Sequence, residues 1–218
     1  MRPSSRCGIA GLLAGLLLAA GVPPAQAGEL PAERRVIILT PSLDDPRLAA
    51  AREALAFWNR TLAGLGLGVR LTEAAVITES PLTRPLENYA QRLWRQAGRI
   101  SAGENGPRPP DELRGMEGDI VLLLSRQHLM SFAWPVDRTE RYFVAIGTRS
   151  NDPVKSPVAV HNVVAHELGH ALGLVHNNFP AALMCSPCRS SLIASYKERF
   201  LPLTANDRAR LQALYSTR

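Results

Sequence analysis

Residues 166–176 read HELGHALGLVH and hold three of the chain's five histidines. They limit what the local fold can be. His166 and His170 are four apart, so on a helix they project from one face about 6 Å apart along the axis, close enough to share one ion. An unbroken helix would carry His176 about 15 Å along the axis from His166 and rotate it off that face. For the third histidine to join the first two, the chain must turn back between His170 and His176. Gly173 stands where that turn is needed, because a residue without Cβ adopts positive φ at little cost and ends helices in that conformation.

Three imidazoles gathered in this way suit zinc, which takes histidine nitrogen at about 2.0–2.1 Å and in catalytic sites keeps a position open for water. His166, His170 and His176 are the expected ligands of one zinc ion. Glu167, beside the first ligand, is placed to exchange protons with a water that attacks a carbonyl, and so is the expected catalytic base. A site kept only for structure would gain nothing from such a base and would tend to close with a fourth protein ligand.

The spacing H-E-x-x-H-x-x-G-x-x-H resembles the signature of the metzincin zinc endopeptidases. The following HNNFPAALM places Met184 eight residues after His176 and is similar to the matrixin branch. The resemblance implies that Met184 forms the Met-turn, an apolar floor under the metal that does not bind it. The closing segment LTANDRARLQALY also resembles the matrixin C-terminal helix, so the similarity is specific from about residue 161 to 215. It implies protein or peptide substrates, held extended against an edge strand that corresponds here to Leu129, Met130, Ser131, Phe132, Ala133 and Trp134; Pro135 suits an edge position. No acidic, glycine-rich loop of the calcium-binding kind is evident, so structural calcium is not expected. After the methionine, matrixins continue Tyr-Pro-x-Tyr where this chain has CSPC, so the family's wall of the S1′ specificity pocket does not carry over.

The N-terminus has a basic start (Arg2, Arg6), an apolar run over residues 9–20 too short to span a bilayer, and a small-x-small ending at Ala25-Gln26-Ala27. A signal peptide over residues 1–27 and a catalytic domain over 28–218 are expected, giving a secreted or periplasmic protein without stable membrane insertion. Loss of the leader leaves 23 basic against 19 acidic side chains, a formal charge of +4. The arginines are scattered rather than gathered with aromatics, which argues against nucleic acid. Cys185 and Cys188 are then the only cysteines left; C-x-x-C can be half a zinc site, a redox pair or a small disulfide loop, and an oxidising compartment favours the disulfide.

With 46% hydrophobic and 20% charged residues, the chain can bury one ordinary core. Hydrophobic periodicity gives strands at residues 34–41, 67–77, 119–125 and 141–148 and helices at 44–64 and 87–99. A Gly/Pro-rich loop follows over 101–118, then the histidine helix from about 158–162 and a last helix capped by Thr204 and Asp207. The expected fold is α+β: a single metzincin-like catalytic domain, monomeric, with a twisted, mixed but mostly parallel sheet, a backing helix behind it, the zinc-binding helix in front and a C-terminal helix. His128 and His161 read as structural or exposed, and Trp58, Trp94 and Trp134 as core or groove residues. Two other functions are compatible with the motifs: a catalytically silent zinc-containing binding module, and a zinc hydrolase of cell-wall peptides.

Overall fold

The computed structural model describes residues 32–96, 106–136, 140–148, 157–186, 188 and 198–216. Strand β1 (Glu33–Thr40) leads into helix α1 (Pro46–Gly64), β2 (Arg70–Thr78) and α2 (Thr83–Gln96). A single helical turn, α3 (Asp111–Arg114), precedes β3 (Ile120–Leu124), β4 (Phe132–Pro135) and β5 (Tyr142–Ile146). The histidine helix α4 (Pro157–Ala171) follows, and α5 (Ala205–Tyr215) closes the described chain. The expected signal peptide lies outside the described residues.

One five-stranded sheet runs β2-β1-β3-β5-β4, parallel throughout except for β4, which pairs antiparallel with β5 at the edge. Its faces follow from the order. Parallel crossovers are right-handed, and the step from β1 to β2 runs one way along the sheet while the step from β2 to β3 runs back past β1. The crossover helices α1 and α2 therefore land on opposite faces. Val36 and Ile38 of β1, with Leu122 of β3 and Val144 of β5, pack against α1, α4 and α5, while Ile37, Leu39, Val121 and Phe143 pack against α2. The sheet thus has the expected backing helix on one face, α2, and the histidine helix α4 on the other, where α1 packs beside it. Trp58 on α1, fully buried, donates its indole N–H to the Ala165 carbonyl of α4 at 2.9 Å. That bond fixes α4 one residue before His166.

Asp45 caps α1 and Pro46 occupies its first turn, where a missing N–H costs nothing. Arg47 is buried and reaches the C-terminal ends of two strands, donating to the carbonyls of Ser125 at 2.6 Å and Ile146 at 3.2 Å. Its charge is matched by Asp45 at 2.6 Å. Burial alone would raise the Asp45 carboxyl, but the Arg47 hydrogen bonds and charge outweigh it and hold it below the usual range.

Candidate metal centre

Helix α4 ends where its glycine demands. Gly173 has φ +89°, and the Leu174 and Gly173 amides bond back to the carbonyls of Gly169 and His170, each at 2.9 Å. These two bonds are the Schellman ending, which reverses the chain and satisfies carbonyls the helix would otherwise leave open. Beyond the turn, the His176 ring comes back over the face that carries His166 and His170.

The three Nε2 atoms form a nearly equilateral triangle, 3.1 Å from His170 to each partner and 3.2 Å between His166 and His176. Two of the rings are oriented from behind. His166 Nδ1 lies 2.7 Å from the Leu183 carbonyl and His170 Nδ1 lies 2.9 Å from the Leu174 carbonyl. A carbonyl only accepts, so each Nδ1 carries the proton and each Nε2 presents a lone pair to the centre. Burial lowers the pKa of all three rings, that of His166 to about 4 with the neighbouring His170 and His176 adding to the effect, which favours the neutral, metal-binding form. Lone pairs facing one another at this range repel unless a cation lies among them. Four tetrahedral nitrogens at zinc distances of 2.0–2.1 Å stand about 3.3–3.4 Å apart, so the triangle fits zinc closely. Among the described residues it is the one group of three or more ligating side chains gathered around a point.

Glu167 is buried beside this triangle, and the backbone amide of Ala133 in β4 bonds to its carboxyl. Burial pushes that carboxyl up to about 8 against the pull of the amide, which makes it a stronger base than an exposed glutamate. The strand register explains why the amide is available. Val136 donates to the Arg141 carbonyl at 2.8 Å, so Trp134 and Phe132, two and four residues back, also point their amides into β5. Positions 133 and 135 face outward. Pro135 has no N–H to leave exposed, and the Ala133 amide turns to Glu167. Of the six residues expected in an edge strand, Phe132, Ala133 and Trp134 lie in β4, while Leu129, Met130 and Ser131 precede it; Leu129 is fully buried and Met130 exposed.

Met184 lies fully buried under the site. A Cβ on Gly169 would meet its Sδ at 2.6 Å and the Trp58 ring at 3.1 Å, so the glycine between the two helical histidines is what lets the methionine approach α4. The Met184 segment is tied to the one after His176: the Asn177 amide donates to the Met184 carbonyl at 2.7 Å and the Ser186 amide to the Asn177 carbonyl at 2.8 Å. Cys185 and Cys188 are joined by a disulfide, with Cα atoms 5.1 Å apart. The two histidines outside the motif stand apart from the site: His128 is exposed and His161 pairs with Glu53 at 2.8 Å.

The matrixin family model matches residues 109–216, from just before α3 to the end of α5. Over these residues, which include the three histidines, the chain is similar to the matrixins. It is a zinc metallopeptidase, with zinc-dependent hydrolysis of peptide bonds as its chemistry. A solved structure of archaemetzincin from Methanopyrus kandleri is similar to it at 18% identity, covering 84% of this chain and 96% of that one, with a TM-score of 0.48. No curated protein matches the sequence. The backbone partners of this site, the Leu183 and Leu174 carbonyls and the Ala133 amide, carry no sequence signal, since any residue type supplies them.

Proposed function

We propose that this metallopeptidase is an exported, monomeric endopeptidase in which His166, His170 and His176 hold one zinc ion, Glu167 handles the protons and Met184 floors the site. The observation that carries it is three imidazole lone pairs converging at 3.1–3.2 Å beside a buried carboxyl group. When bound, zinc polarises the peptide carbonyl and lowers the pKa of water to about 7. Glu167 takes a proton from the attacking water and returns it to the leaving amine nitrogen. The Ala133 amide orients its carboxyl for that exchange. An extended substrate chain lies along the open edge of β4, its amides donating to the outward carbonyls of Ala133 and Pro135. No structural calcium is required.

Residues 1–27 direct export and are removed, leaving 28–218 as the catalytic domain. The leader pattern and the Cys185–Cys188 bridge, at home in an oxidising compartment, support this. The test is hydrolysis of an unfolded protein and of cell-wall muropeptides by the purified exported chain, before and after chelation and after return of zinc. The proposal expects a mature N-terminus at Gly28, one zinc per chain, and cleavage of the protein that stops on chelation and returns with zinc. Cleavage of muropeptides alone would replace the substrate class, and cleavage unaffected by metal removal would overturn the mechanism.

A further inference from the structure

His166 and His170 ride on a helix, and each is held by a backbone carbonyl behind its ring. His176 has neither support. It is exposed, it lies in an irregular segment, and among the described residues no partner bonds its Nδ1. Its position is therefore set by the main chain on either side.

Both sides are held by one helix. At the near side, Arg210 Nε of α5 donates to the Gly173 carbonyl at 2.6 Å, and the Leu214 side chain lies where a Cβ on Gly173 would meet it at 2.7 Å. At the far side, Asn177 Nδ2 donates to the buried Asp207 carboxylate of α5 at 3.1 Å. Asn177 Oδ1 accepts from the Phe179 amide at 3.1 Å, so the side chain is fixed at both ends. Asp207, Arg210 and Leu214 fall at i, i+3 and i+7, one face of a helix. The Thr204–Asp207 capping box anchors the start of that face, with the Asp207 amide 3.1 Å from Thr204 Oγ1 and the Thr204 amide 2.9 Å from Asp207 Oδ2.

From this arrangement we infer that α5 is the positioning element for the third metal ligand: Asp207, Arg210 and Leu214 clamp residues 173–177 and so hold His176 on the open corner of the triangle. The inference rests on the reading of the histidines as zinc ligands. It assigns a role in metal affinity to residues that touch neither metal nor substrate. Arg210 is largely exposed, so its removal leaves the core intact, and what changes is the freedom of the His176 segment.

Zinc affinity of the full mature chain, read by competition with a fluorescent chelator, tests this, with thermal unfolding of the metal-free protein alongside. Arg210→Ala and Asn177→Ala should each weaken zinc about tenfold, the low end for residues that support a ligand from behind. Metal-free Arg210→Ala should unfold at the wild-type temperature. Arg210→Lys, which can still donate to the Gly173 carbonyl, should recover most of the loss. In a His176→Ala background, Arg210→Ala should cost nothing further, because the two residues act through one ligand. Wild-type zinc affinity in both single variants, or the same tenfold loss with His176 already removed, would overturn the clamp. Failure of the wild-type chain to bind zinc would instead strike the reading of the site itself.

Discussion

Replacing Gly173 with alanine asks whether the turn between the second and third histidines is held by its left-handed backbone. At φ +89° a Cβ costs about 1–2 kcal/mol. It would also meet Leu214 Cδ1 at 2.7 Å, but that side chain is 39% exposed and can rotate aside. The stiffer unfolded chain returns about 0.4–1 kcal/mol, so the net loss of stability is roughly 1 kcal/mol. For a chain of this size that lowers the melting temperature of the metal-free protein by about 2–4 °C. Zinc binding should suffer more. If the turn relaxes in the metal-free state, breaking the Leu174 to Gly169 bond, zinc must drive it back, and 1–2 kcal/mol corresponds to about 5–30-fold weaker binding. Gly173→Asn is the control, because asparagine tolerates this conformation and should keep most of the affinity. Chelator competition gives the affinities and calorimetry the melting temperatures. The reasoning fails if the alanine variant matches wild type in both, or if asparagine is as harmful as alanine.

Three further outcomes are expected. The Asp45 carboxyl is held below its ordinary range by Arg47, so its contribution to stability is complete above about pH 4 and is lost as pH falls through the lower folded value. Asp45→Asn should cost about 3 kcal/mol at neutral pH, and denaturant titrations should show the gap to wild type closing below pH 4; a constant gap would contradict the pairing. Exported protein alkylated without reduction should show Cys185 and Cys188 both blocked in mass spectra, and Cys185→Ser with Cys188→Ser should lose about 2 kcal/mol of stability, the entropy of so short a loop; two freely alkylated thiols would refute the bridge. Ala133→Pro removes the amide that holds the Glu167 carboxyl and leaves the β4–β5 ladder whole, so kcat/KM should fall at least about tenfold with zinc content unchanged, and unchanged kinetics would contradict a role for that amide.

What could be seen in the sequence followed from side-chain identity at fixed spacing. His166, Glu167, His170, Gly173 and His176 are legible because helical geometry allows few ways to join them, and Thr204 with Asp207 announced a capping box that the structure contains. Elements were harder where one residue argued against its neighbours. Helix α2 begins at Thr83, four residues before the expected start, because Pro85 sits in the first turn, where proline is tolerated. Within the Gly/Pro-rich stretch, Asp111–Arg114 still closes one helical turn after Pro110. The faces taken by α1 and α2 depended on strand order, which periodicity does not carry. The supports of the site were the least visible. Leu183 and Leu174 act through carbonyls, Ala133 through its amide, and Gly169 through the absence of a side chain where Met184 must fit. Only Asn177 and Arg210 left a polar side chain to notice, and their partners lie 30 and 37 residues away.

The central claim is a division of labour in which the histidines hold the metal and Glu167 moves protons. Zinc content and peptide hydrolysis measured together on Glu167→Ala and His166→Ala test it most directly. The account predicts that Glu167→Ala keeps close to one zinc per chain while hydrolysis falls by at least about 10²–10⁴-fold, and that His166→Ala loses zinc and activity together. Hydrolysis by Glu167→Ala at the wild-type rate, with zinc bound, would contradict it.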